Sequence, residues 1–262
     1  MARENSFMFF GKLAEAPVVF LNEETKKYRV SISLETLRRN GRVDYPRVSS
    51  YGLEEQQARD FVHDLKIGRY VICRGMITTK VVEKPIKCSK CGEITKISTL
   101  FTEVVTYGKP YVLTQDVNPK EIAEFANLGT LLGTLCTDVK RRDAIDGPEA
   151  AQFQVAVGRR YRVEELVDDP LTDYPWVKCY GPIAGACIER AHEGSQLYIT
   201  GSFQTRDIQR SVRCDSCGQW LKTLERVGEI VPNGVEFLNN CLFDEEPPAN
   251  GEGKEAVNNE KA

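Results

Sequence analysis

Short runs of β-branched and aromatic residues in partial alternation with polar ones recur along the chain, and that period of two predicts strands. In the first half the runs are Phe7–Leu13, Tyr28–Leu34, Arg47–Tyr51, Tyr70–Thr78 and Leu100–Thr106. In the second half Gly129–Cys136, Gln152–Gly158, Trp176–Tyr180, Gln196–Gln204 and Val235–Asn240 take the same places. A helical stretch separates the third and fourth runs each time, Glu54–Leu65 and then Ala184–Ala191. Gly68 and Gly194 follow these helices, where a residue able to take positive φ is wanted. Between the halves, Asn118-Pro119 and Lys120 to Phe125 predict a linker ending in a turn or two of helix.

The halves also match residue by residue. Asp44-Tyr45-Pro46-Arg47-Val48-Ser49-Ser50-Tyr51-Gly52 recurs as Asp173-Tyr174-Pro175-Trp176-Val177-Lys178-Cys179-Tyr180-Gly181, with six of nine positions identical. Phe10-Gly11-Lys12-Leu13 matches Leu132-Gly133-Thr134-Leu135, and Gly68–Gly75 matches Gly194–Gly201. Cys88-Ser89-Lys90-Cys91-Gly92 matches Cys214-Asp215-Ser216-Cys217-Gly218. The displacement drifts only from 122 residues (Gly11 to Gly133) to 129 (Asp44 to Asp173). The chain is therefore a tandem repeat. Five strands with a helix between the third and fourth is the order of an OB-fold barrel. The expected fold class is all-β: tandem OB-fold barrels with a short helix in each, zinc-ribbon-like hairpin insertions and a disordered acidic tail. The expected boundaries are 1–114 and 127–243 for the barrels, 115–126 for the linker and 244–262 for the tail.

Composition fits a globular chain. Hydrophobic residues are 41% and charged residues 28%, and 35 Lys+Arg against 38 Asp+Glu give a net charge of -3. That balance excludes a strongly basic, histone-like protein. Residues 244–262 hold six acidic residues and two lysines, so the tail is -4 and the rest is +1. With almost nothing apolar, the tail cannot offset the entropy of ordering it. No run approaches the ~18 apolar residues of a membrane span, and Met1–Asn5 lead into too short an apolar run for a signal peptide. A cytoplasmic chain is expected, its nine cysteines serving as metal ligands or buried thiols.

The motif strings resemble bacterial single-stranded DNA-binding protein. They are Val43–Val48, then Gly68-Arg69-Tyr70-Val71 and Gly75–Lys80, and in the second copy Tyr174–Val177 and Glu193–Arg206. Phe10–Pro17 resembles the family's first strand and turn. The resemblance covers roughly Met8 to Thr106 and Leu128 to Asn240. It implies coating of single-stranded DNA during replication, recombination or repair, without catalysis, in the cytoplasm at the nucleoid. Two barrels per chain imply a homodimer with four. The family's tail recruits replication and repair proteins through a terminal apolar motif; this tail ends Asn259-Glu260-Lys261-Ala262 and lacks it. The Cys-x-x-Cys-Gly insertions are also absent from the usual family. An OB-fold module that mainly binds proteins, as in a primosome, is the alternative; a nuclease ranks far below both.

Sequence-tolerant single-strand binders combine stacking aromatics with cations along the backbone. Tyr45 and Tyr51, and Tyr174, Trp176 and Tyr180, are the expected stacking residues, evenly spaced on one strand face, with Arg47 and Lys178 beside them. The loops between the second and third strands carry Arg38, Arg39 and Arg42, then Arg159, Arg160 and Arg162. The hairpins between the fourth and fifth carry Lys80, with Lys84 and Lys87, then Arg206, Arg210 and Arg213. These cations form the expected phosphate track.

Cys-x-x-Cys-Gly is the turn of a zinc knuckle, and structural zinc takes four ligands. Each repeat offers two. Cys88 and Cys91 with Cys214 and Cys217 would complete one zinc site per chain, closed within one chain or, alternatively, between two. Cys73, Cys136, Cys179, Cys187 and Cys241 are expected as small core residues.

Overall fold

The computed structural model describes residues 4–142, 148–159, 161–163 and 171–242. The first half contains β1 (Asn5–Leu13), β2 (Val18–Leu21), β3 (Tyr28–Leu37), β4 (Val43–Asp44), β5 (Arg47–Leu53), α1 (Glu55–Val62), β6 (Tyr70–Lys87), β7 (Ile94–Thr106) and β8 (Tyr111–Val112). The linker holds α2 (Pro119–Ile122), whose cap Asn118 accepts from the Lys120 amide. The second half contains β9 (Asn127–Leu135), β10 (Lys140–Arg142), β11 (Ala150–Gly158), β12 (Thr172–Asp173), β13 (Trp176–Tyr180), α3 (Gly181–Arg190), β14 (Gln196–Arg213) and β15 (Trp220–Phe237). Among the described residues no helix is long and apolar enough to cross a membrane.

Strand pairing closes two five-stranded barrels. In the first, β1 pairs with β3 and β6, β3 with β5, and β6 with β7, while β5 runs parallel to β7 at Val48–Val104. In the second, β9 pairs with β11 and β14, β11 with β13, and β14 with β15, while β13 runs parallel to β15 at Val177–Ile230. Full closure leaves few sheet edges to protect. Phe9, Leu13, Ile32, Leu34 and Ile77 fill one interior, and Leu131, Phe153, Val155, Leu197 and Ile199 fill the other. Gly68 (φ 85°) and Gly194 (φ 86°) adopt the positive φ expected of them.

One expectation needs correction. The fifth strand of the second barrel closes at Ile230, not across Val235–Asn240. Residues 235–237 only prolong it along β14, the place that the separate strand β8 takes beside β6 in the first barrel. The insertions are hairpins, as expected. Both hairpins are long ladders, from Gly75–Thr106 out to Lys87–Ile94 and from Leu197–Phe237 out to Arg213–Trp220, the second with one register shift between Thr200 and Gly201.

A pseudo-twofold axis relates the barrels. β1 and β9 pair antiparallel about Phe7–Gly129, from Asn5–Leu131 to Phe9–Asn127. The Asn5 side chain brackets the Ile77 peptide (2.9 and 2.8 Å), and Asn127, its equivalent, brackets the Phe203 peptide. One 15-stranded sheet thus runs through both barrels.

Candidate nucleic-acid interface and cysteine cluster

β13 sets the outer face of the second barrel. Val177 and Cys179 point inward and are buried, so Trp176, Lys178 and Tyr180 point outward, with Tyr174 just before them. Tyr174 and Tyr180 are exposed, Trp176 is half-buried, and the Lys178 ammonium lies 5.3 Å from the Tyr180 ring centre. Beneath this face Glu229 accepts from Arg206 at 3.1 Å.

The first barrel carries the equivalent face in a different state. Glu103 is buried and accepts from Ser49 (2.7 Å), Lys80 (3.0 Å) and the Tyr51 hydroxyl. Burial first, and then Glu103, raises the Tyr51 phenol above its ordinary pKa. Cations cover the rings: Arg29 lies over Phe20 (4.5 Å) and Tyr51, and Lys80 and the exposed Arg47 lie over Phe101 (5.3 and 5.5 Å). Tyr45 is capped by Arg226 of the second barrel at 4.7 Å. Phe20, Arg29, Phe101 and the exposed Trp220 carry no sequence motif. Register would have found Phe101, which sits directly across from Lys80.

The loop cations divide. Arg39, Arg42, Arg162, Arg206 and Arg213 are exposed, and Arg213 caps the second cysteine turn through the Gly218 carbonyl (3.2 Å). Arg210 faces Glu225 at 2.7 Å, with Lys84 of the first barrel on the same carboxylate. Arg160 lies outside the described residues, as does the tail. Arg38 and Arg159 pair with carboxylates of their own barrels. Arg159 is buried against Asp173 (2.8 Å), and Arg38 lies against Asp44 (2.6 Å). These pairs brace the barrel interface. Asp44 accepts from the Thr205 amide (2.6 Å), and Thr205 Oγ1 accepts from the Tyr45 amide (2.8 Å). Asp173 accepts from the Thr79 amide (2.5 Å), and Thr79 Oγ1 accepts from the Tyr174 amide (2.8 Å). Burial raises the Asp173 carboxyl above its ordinary pKa against the pull of Arg159.

The two long hairpins meet at their tips. Cys88 lies 3.6 Å from Cys217, and Cys91 lies 3.6 Å from Cys214, sulfur to sulfur. All four sulfurs lie within 4.8 Å of one another, inside one chain, close enough to bind a metal ion. Each turn is built alike. The Cys88 and Cys214 amides donate to Glu93 and Gln219 (2.7 and 2.8 Å), and Gly92 (φ 77°) and Gly218 (φ 71°) donate back at 2.9 Å. Such turns aim amides at sulfur. The Cys217 and Ser216 amides lower the Cys214 thiol to about 6, and the Cys91 and Lys90 amides lower Cys88. Cys73, Cys179 and Cys187 are buried as expected, while Cys136 and Cys241 are half-buried.

Fold and site define a tandem OB-fold chain whose two barrels present aromatic and cationic outer faces and whose hairpin tips bring four cysteines together. Comparisons with known proteins place that class more closely. The model of the single-strand binding protein family matches residues 126–216, the second barrel from β9 to its cysteine turn. The wild-type single-stranded DNA-binding protein of Thermus aquaticus has a similar structure, with a TM-score of 0.60 at 16% identity over 96% of this chain and 98% of that one. A deletion variant of the same protein gives 0.60 and 16% over 95% and 100%. A search of curated proteins finds no match.

Proposed function

We propose that the protein binds and coats single-stranded DNA without strong sequence preference during replication, recombination or repair. The observation that carries this reading is the outward row Tyr174, Trp176, Lys178 and Tyr180, which lies in the barrel that the family model matches. Aromatic faces stack any base, and neighbouring cations hold phosphates, so affinity needs no base-edge contacts. The reading makes the protein a binder and not an enzyme, cytoplasmic and nucleoid-associated. Two chains would pair to present four barrels, and the tail, without the family's terminal motif, would meet replication or repair proteins only through its acidic stretch Asp244-Glu245-Glu246.

We read the cysteine cluster as a structural zinc site, one per chain. Zn–S bonds of about 2.3 Å put the sulfurs of a tetrahedral site about 3.8 Å apart, and the two cross-barrel pairs stand at 3.6 Å. Four thiolates leave zinc no open position for catalysis. The metal would hold the hairpins, and with them Arg206 and Arg210, in one arrangement.

Titration of oligo-dT at two salt concentrations, with metal measured on the same sample, tests both readings. Expected are tight binding at low salt, steep weakening at high salt and one zinc per chain. No binding at low salt removes the first reading; less than half a zinc per chain removes the second.

A further inference from the structure

Pseudo-symmetry gives the barrel junction two equivalent clefts. In one, residues 161–163, which follow β11, lie against the first barrel, and Val163 is buried against Met76, Val105 and Tyr51. In the other, the loop after β3 lies against the second barrel. Ser6, Met76 and Tyr107 line the first cleft; their equivalents Leu128, Ser202 and Asn233 line the second. Their volumes are similar, about 640 and 590 Å³. Both fall in the about 300–1,000 Å³ range of small-ligand sites.

Their chemistry differs. In the first cleft Tyr107 of one barrel meets Tyr161 of the other edge to face, ring centres 5.9 Å apart. Both rings remain open, 47% and 60% exposed, and the Tyr107 hydroxyl is anchored on the Asn5 carbonyl at 2.9 Å. Arg162 stands exposed at the rim. Among the described residues lining the second cleft there is no tyrosine. The linker passes along its wall instead, placing the Glu124 carboxylate on Arg39 and Phe125 beside it. An acid on the arginine next to an aromatic ring has the layout of a phosphate next to a base, built from the protein's own linker.

We propose that the first cleft receives one nucleobase of the bound strand, stacked on Tyr107 or Tyr161, with an adjoining phosphate on Arg162. The second cleft does not receive one, because the linker already supplies Arg39 with its anion. The inference rests on the single-strand reading. It adds a base site at the junction, apart from the β13 row, that joins the two barrels into one continuous path.

Oligo-dT carrying 5-iodouracil, photocrosslinked to the full chain and mapped by mass spectrometry, tests it together with Tyr161→Ala and Arg162→Ala. Both side chains are exposed, so folding should be spared. Crosslinks to Tyr107 or Tyr161 are expected, with affinity in Tyr161→Ala falling about fivefold or more, the lower end of one lost stacking contact. Glu124→Ala, which frees Arg39 of its anion, should leave affinity unchanged or raise it; a loss of affinity would overturn the asymmetry between the clefts. Crosslinks confined to Tyr174, Trp176 and Tyr180 with unchanged affinity would overturn the cleft and leave single-strand binding standing. A crosslink in the cleft without loss of affinity also overturns it. Failure of the unaltered chain to bind at low salt is the separate result that removes the underlying reading.

Discussion

Asp173 and Arg159 keep 0% and 2% of their side chains exposed, whereas Arg38 of the equivalent pair keeps 21%. The same substitution should therefore cost different amounts at the two sites. Asp173→Asn removes a fully buried carboxylate that holds both Arg159 and the Thr79 amide, which costs about 3 kcal/mol, the upper end for hydrogen bonds to a charged group. After Asp44→Asn, Arg38 can turn to water, and the loss should be about 1–2 kcal/mol, that of a charged hydrogen bond. Urea unfolding of the two variants checks this, and equal midpoints would refute it. The tyrosines differ in the same way. Tyr180 is open, so Tyr180→Ala should lose about 1–3 kcal/mol of oligo-dT affinity with stability unchanged. Tyr51 is tied to Glu103, so Tyr51→Ala should lower the unfolding midpoint as well. Paired binding and thermal melts separate the two. Spacing revealed that these tyrosines share strand faces. It could not reveal which are covered, because Arg29 and Arg226 reach them through tertiary contacts.

At the level of elements, the repeated strands and cysteine turns were legible because period and motif are local. The length of the hairpins was not. Pro85 and the polar residues around it resemble a loop, yet Pro85 pairs with Lys96 inside a ladder held by the facing hairpin. Thr99 and Glu225 meet across that contact, where Lys84 also reaches Glu225 at 3.0 Å. Metal removal should therefore loosen the tips and spare the barrels. Hydrogen exchange after chelation should rise in residues 84–98 and 210–224 and stay slow in β1 and β9. Uniform loosening would show that the metal supports the whole fold. The pH dependence follows from Cys214. Its thiol titrates near 9 in the unfolded chain and at about 6 when folded. In the metal-free protein its contribution is full above pH 9 and is lost as pH falls through about 6. Protons should compete with metal at Cys214 below about pH 6. At Cys91, which the neighbouring sulfurs hold up at about 12, they compete through the neutral range, so metal retention should fall gradually with pH and not in one step. Cys214→Ser should abolish retention at neutral pH, read by metal content after desalting.

On the scale of the molecule, the pseudo-twofold axis is broken where it matters most. Phe7 and Gly129 face each other on it. A Cβ on Gly129 would lie 2.1 Å from the Phe7 ring, which is buried and has nowhere to go. Two copies of the first barrel joined through β1 would set Phe7 against Phe7 in space for one ring. Two copies of the second joined through β9 would set glycine against glycine and leave a cavity, at about 24 cal/mol per Å³. Only the mixed pair fills the axis. The Asp44–Thr205 and Asp173–Thr79 contacts and the two cysteines from each side are equivalent in the two barrels, so they hold any such pair and leave the axis to select the partner. Separately produced fragments 1–114 and 115–243 should thus combine one to one when mixed. Native mass spectrometry should find the heterodimer in large excess over either homodimer, with one metal ion per pair. Gly129→Leu in the second fragment should abolish the pairing by denying Phe7 its space. A mixture dominated by homodimers would mean that the shared strand edge, not the Phe7–Gly129 fit, selects the partner.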